Sequence, residues 1–154
     1  MVLAKVITQE TIAVDLGSDD KWAAIARLVD LLASSRAGMD APAVLSSVLE
    51  RERQGSTGLE NGIAIPHARS DGAAGVVSAL GISRDGMDFQ SADGKPCHLV
   101  FLVVAPPDQS ARYLQVLSAV AAIGENPDRI ARLRHASSPA EALAILGETG
   151  LESI

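Results

Sequence analysis

The longest uninterrupted apolar run in the chain, residues 99–105, is Leu-Val-Phe-Leu-Val-Val-Ala, far too short to cross a membrane. Residues 98–105 therefore read as a β-strand, and one with no polar face to offer water. Such a strand belongs inside a sheet covered on both sides, so the fold must place helices above and below it. The chain supplies them. Residues 22–34 carry Ala24, Ile25, Leu28, Val29, Leu31 and Leu32 at helical spacing, with helix N-caps on offer in residues 17–20. Asp40 caps a second helix with Pro42 in its first turn and Val44, Leu45, Val48 and Leu49 as its stripe. That helix runs out into Glu50-Arg51-Glu52-Arg53 and stops at Gly55. Beyond the apolar strand, Asp108 is expected to cap a helix reaching about Ile123 with Leu114, Leu117, Val120 and Ala121 inward. Residues 127–134 and 139–146 give two short closing helices.

The remaining strands are weaker. Residues 11–16 favour β structure, residues 63–65 form a buried strand end, and residues 76–83 form a further strand. Residues 70–75 are a loop, Arg84-Asp85-Gly86 and residues 92–96 are turns, and Phe89 closes onto the core. Strands alternating with helices make the fold α/β, a small sheet flanked by helices. No repeat or long linker divides residues 1–154, so one domain is expected.

Composition narrows the function. A net charge of −6 argues against non-specific binding to nucleic acid or to an anionic membrane. Cys97 is the only cysteine, which excludes an internal disulfide and fits a reducing compartment. The first ten residues lack the order of a signal peptide, so a cytoplasmic location is expected.

The stretch with chemical character is residues 55–69, Gly-Ser-Thr-Gly-Leu-Glu-Asn-Gly-Ile-Ala-Ile-Pro-His-Ala-Arg. Pro66 has no N–H for a sheet ladder, so the apolar run should stop there and present His67 at a strand terminus. No phosphate-binding Gly-x-x-x-x-Gly-Lys loop, dinucleotide fingerprint or Gly-x-Ser-x-Gly elbow is present. His67, Cys97, His98 and His135 lack the paired spacing of a zinc site, so no metal is expected. His98 is expected at a strand edge and His135 on a helix surface. His67 is left either as a strand-ending histidine bonded to a carbonyl, or as a nucleophile or proton-transfer group. Its neighbours favour the second. Ser56, Thr57 and Asn61 offer small donors, the glycines offer backbone N–H groups, and Arg51, Arg53 and Arg69 offer positive charge.

The pattern Arg51-Glu52-x-x-Gly55-Ser56-Thr57-Gly58-x-x-Asn61-Gly62-Ile63-Ala64-Ile65-Pro66-His67 closely resembles the signature of fructose/mannitol-type enzyme IIA domains. These belong to the bacterial phosphoenolpyruvate:sugar phosphotransferase system, a group that includes the nitrogen-regulatory enzyme IIA. The likeness covers nearly the whole chain. It implies a mixed sheet flanked by helices, and a phosphocarrier that accepts a phosphoryl group on His67 Nε2 from the carrier protein HPr or its nitrogen-branch paralogue. It implies no nucleotide, metal or other cofactor, and as further partners a sugar-specific enzyme IIB or a regulated target. On the resemblance, Arg51 and the backbone of Ser56, Thr57 and Gly58 hold phosphate oxygens and Asn61 braces the loop; Arg53 is plain surface.

One position departs from the family. Tyr113, before Leu114, stands where the family usually has a second histidine facing the first. A tyrosine can donate one hydrogen bond to phosphate but is neutral near pH 7, and it can equally serve as core packing. The rival function is accordingly a regulatory binding module of the same fold with little phosphoryl turnover.

Overall fold

The computed structural model describes residues 6–17 and 20–148. Its strands are β1 (Ile12–Ala13), β2 (Ile63–Ala64), β3 (His67–Arg69), β4 (Val77–Met87) and β5 (Cys97–Ala105). They form one mixed sheet in the order β1-β4-β5-β2, with β3 also pairing β5. The apolar run is thus interior: β5 lies antiparallel to β4 on one side and parallel to β2 and β3 on the other. Ile63 sits opposite Leu99 and His67 opposite Val103, four residues on in both strands. β2 and β3 are therefore two parts of one edge strand in a single register, interrupted at Ile65-Pro66.

The helices are α1 (Lys21–Ser35), α2 (Ala41–Arg53), α3 (Ser110–Ile123), α4 (Pro127–Arg134) and α5 (Pro139–Gly147). Successive side chains of a strand point to opposite faces, and β5 divides its residues accordingly. Val100, Leu102 and Val104 join a cluster with Ile25, Leu28, Leu32, Val44 and Val48 from α1 and α2. Leu99, Phe101, Val103 and Ala105 join a second cluster with Val116, Val120, Ile123, Leu133 and Ile145 from α3, α4 and α5. This is the two-sided cover that an apolar strand requires. Asp40 accepts from the Ala43 N–H at 3.2 Å, so the expected cap starts α2, and of the caps on offer in residues 17–20 it is Asp20 that starts α1, accepting from the Ala23 N–H at 2.8 Å.

Four expectations are corrected. Within residues 11–16 only β1 pairs, because Thr11 closes a 3-10 turn, Gln9–Thr11. Arg84-Asp85-Gly86 does not end a strand. It lies inside β4 as an irregularity between Ile82 and Met87, with Gly86 at φ +90°. The turn residues serve a bulge there. A Cβ at Gly86 would lie 2.8 Å from Pro96 Cβ and 2.9 Å from His98 Cε1, so close packing adds to the backbone demand. Asp108 does not cap α3, since Pro107 begins a 3-10 turn, Pro107–Gln109, and coiling has started before Asp108 is reached. The inward face of α3 is Tyr113, Val116, Ala119, Val120 and Ile123, whereas Leu114 is 59% exposed and Ala121 is exposed. The helix is apolar over a wide arc, and the sheet selects the phase that buries Tyr113 and Ile123.

His98 is the second residue of β5, its Nδ1 3.0 Å from the Ser83 carbonyl. His135 is exposed at the C-terminus of α4.

Candidate functional site

The loop between α2 and β2 is held almost entirely by its own polar groups. Ser56 Oγ donates to the Phe89 carbonyl and accepts from the Gly58 N–H at 3.0 Å. Gly58 packs so tightly that a Cβ there would lie 2.6 Å from Ser91 Oγ and 2.9 Å from Ser91 Cα. The Thr57 N–H and hydroxyl both donate to the Glu52 carboxylate, at 2.9 and 2.5 Å. Asn61 takes a left-handed backbone at φ 67°, which asparagine tolerates better than most residues. Its Nδ2 donates to the Gly124 carbonyl at 3.0 Å, fastening the loop to the end of α3.

In this structure the Thr57 and Gly58 N–H groups are engaged by Glu52 and Ser56, and Ser56, Thr57 and Gly58 are not among the residues lining the pocket beside His67.

His67 opens β3 immediately after Pro66 and is half-buried. Strand pairing resumes at His67 rather than ending before it, since the Val103 N–H reaches across to the Pro66 carbonyl at 3.0 Å. The neighbouring Ile65 carbonyl accepts from His67 Nδ1 at 2.6 Å. A carbonyl has no proton to give, so Nδ1 carries the hydrogen. Burial holds the ring's pKa below the ordinary histidine value; the Ile65 bond opposes that shift and the Arg51 charge adds to it. At neutral pH the imidazole is therefore uncharged, with a lone pair on Nε2.

The ring lines an open depression of about 830 Å³ with Arg51, Arg69, Tyr113, Leu114 and Leu117. Arg51 extends from the last turn of α2 and its Nη1 donates to the Gly55 carbonyl at 2.9 Å. Arg69 ends β3 and donates to Ser110 Oγ at 2.8 Å, joining the strand to the first residue of α3. The Tyr113 ring lies 6.2 Å from the His67 ring, centre to centre, at 53°. Burial pushes its phenol up to about 12, with Arg69 and Arg51 pulling the other way. It is a neutral donor at pH 7. Arg53 faces solvent and pairs with Glu50 at 3.3 Å.

Four of the residues singled out from sequence thus converge: His67, Arg51, Arg69 and Tyr113 line one pocket, while Ser56, Thr57, Gly58 and Asn61 stand behind it. Sequence reasoning gave no task to Glu52, 2% exposed, or to its buried partner Lys21, 4% exposed. A signal was present, because Val44, Val48 and Glu52 follow one another at intervals of four on the inward stripe of α2.

Residues 5–149 match the family model described as "Phosphoenolpyruvate-dependent sugar phosphotransferase system, EIIA 2". The chain belongs to the EIIA 2 family. Among its EIIA 2 relatives, the nitrogen regulatory protein of Pseudomonas aeruginosa is 33% identical over 92% of this chain and 91% of its own length. The fructose-specific EIIABC component of Bacillus subtilis is 35% identical over 80% of this chain, which spans only 19% of that much longer protein. The crystal structure of the nitrogen regulatory protein IIA-Ntr from Neisseria meningitidis superposes with a TM-score of 0.86 at 29% identity, covering 95% of this chain and 99% of that one. EIIA 2 domains are phosphotransfer components, so a phosphocarrier or regulatory role in that system follows for this chain.

Proposed function

We propose that the chain is a phosphocarrier that takes a phosphoryl group on His67 Nε2 from the phosphohistidine of HPr or an HPr-like protein, acting in a regulatory branch of the system. The observation that carries this reading is the 2.6 Å contact from His67 Nδ1 to the Ile65 carbonyl, which leaves an uncharged Nε2 in a pocket with two guanidinium groups. The Nε2 lone pair attacks phosphorus in line as the donor's P–N bond breaks and its electron pair returns to the donor imidazole. His67 keeps its Nδ1 proton, so positive charge grows on the ring and the Ile65 carbonyl stabilises it. Arg51 and Arg69 oppose the negative charge on the phosphoryl oxygens.

Leu114, Leu117 and Pro107 give the pocket an apolar rim, which suits a protein donor that must exclude water during transfer. After transfer, the phosphoryl group passes to an enzyme IIB or marks the chain for a regulated target. Among the described residues no helix is long and apolar enough to cross a membrane, and a cytoplasmic site of action accords with that.

Tyr113 favours a second reading. A phenol pushed up to about 12 brings no positive charge to the phosphoryl group, as expected of a regulatory module with slow turnover. Incubation with phosphoenolpyruvate, enzyme I and HPr decides between them. The phosphocarrier gains acid-labile phosphate that His67→Ala abolishes; absence of label from several HPr-like donors selects the binding module.

A further inference from the structure

The phosphocarrier reading leaves a buried ion pair without a task. Lys21 Nζ, in the first turn of α1, lies 3.1 Å from Glu52 Oε2, in the last turn of α2, and both residues are almost fully enclosed. Desolvating two charges commonly costs as much as their attraction returns, so an apolar pair of similar size would join the helices equally well. The hydrogen bonds around the carboxylate show what an apolar pair would lose.

From Glu52 the bonds lead to the imidazole. The carboxylate accepts from the Thr57 N–H and hydroxyl. The Thr57 carbonyl accepts from the Ile65 N–H at 3.1 Å. The Ile65 carbonyl accepts from His67 Nδ1. A second branch fixes Arg51, whose Nη1 donates to the carbonyl of Gly55, while the Gly55 N–H donates to the Glu52 carbonyl at 3.2 Å. Lys21 is itself confined, its Nζ 4.9 Å from the Trp22 ring centre and 5.6 Å from that of Phe89.

We propose that Lys21, Glu52 and Thr57 form a positioning relay that fixes the Ile65 peptide and so holds His67 in the Nδ1–H tautomer with Nε2 turned to the pocket. None of the three is a catalytic residue. The inference rests on His67 being the reacting group, but the tautomer is a property of the unphosphorylated protein and can be observed without a phosphoryl donor.

Long-range proton–nitrogen spectra of protein labelled with ¹⁵N-histidine, recorded at about pH 8, well above the ordinary imidazole pKa, give the tautomer directly. The native chain is expected to show one form, Nδ1–H. Lys21→Met, Glu52→Gln and Thr57→Val are each expected to shift His67 to a mixture containing Nε2–H. Labelling by phosphoramidate, a small donor that needs no protein partner, falls about tenfold in the same variants, the worth of one hydrogen bond to a charged group. Thr57→Ser, which keeps the hydroxyl, restores both signals. If either charge variant fails to fold, as judged by circular dichroism, Thr57→Val against Thr57→Ser decides. The proposal is overturned by a single Nδ1–H tautomer in every folded variant. Tautomer shifts with no acid-labile label on any protein, native included, from either phosphoramidate or several HPr-like donors uphold the relay and sink the phosphocarrier reading.

Discussion

His67 is shaped by four opposed influences, and their signs make its pH behaviour predictable. Burial and Arg51 push its pKa below the ordinary value, while the Ile65 carbonyl and the Glu52 charge pull it up. Phosphoryl acceptance should therefore hold steady from alkaline pH down to about 6.5 and fall only below it, as the Nε2 lone pair is taken by a proton. Because Arg51 depresses the pKa, Arg51→Gln should move the midpoint of that fall to higher pH as well as slow the transfer, both visible in a pH series of initial rates. The same shift bears on stability. A histidine whose folded pKa is depressed contributes stability above its unfolded pKa, and loses it as pH drops through the folded value. Tyr113 allows a further prediction. Tyr113→His places a ring capable of positive charge beside the phosphoryl group, and should raise phosphate uptake or lengthen the phosphoprotein lifetime about tenfold, the difference between a charged and a neutral hydrogen-bond donor. No change in either quantity means that Tyr113 makes no contact with the phosphoryl group.

Among the elements, α1 and α2 are joined by the Lys21–Glu52 pair as well as by apolar packing. Lys21→Met leaves a buried carboxylate with its cation gone and should cost about 3–5 kcal/mol in chemical denaturation. Adding Glu52→Gln to that variant removes the stranded charge and should recover part of the loss. Element boundaries were legible where a cap or a proline marks them: Asp20, Asp40, Pro127 and Pro139 each start the expected helix. They were not legible where one residue type serves two geometries. Arg84-Asp85-Gly86 has the composition of a hairpin turn, and only the pairing of Ile82 and Met87 with β5 on either side shows it to be a bulge. The phase of α3 was hidden for a related reason, since Leu114 and Leu117 are as apolar as Val116 and Val120. The sheet turned Leu114 outward to the rim of the pocket, where a partner protein can cover it. Residues 55–69 drew attention to His67, and the motif resemblance set Arg51 apart from Arg53; the structure places His67 and Arg51 against one pocket. Glu52 carried a periodicity signal, but Lys21, thirty-one positions from its partner, carried none.

Across the described residues, β5 separates two apolar clusters on its opposite faces. Leu28→Ala on one face and Ile123→Ala on the other should each cost about 2–5 kcal/mol, and the double variant should equal their sum within about 0.5 kcal/mol when measured by denaturant titration. A clear departure from additivity shows that strain crosses the sheet. The α/β architecture was readable because an apolar strand permits few surroundings, whereas the strand order depends on contacts between distant segments that no local pattern encodes. The outer margin of that sheet, at Ile65, has one further property. Its N–H is spent on Thr57 and its carbonyl on His67, so the backbone that an intruding β-segment would need for docking is already engaged. One peptide thus both closes the exposed side of the strand and orients the His67 ring, so loosening it would open the edge and free the imidazole together.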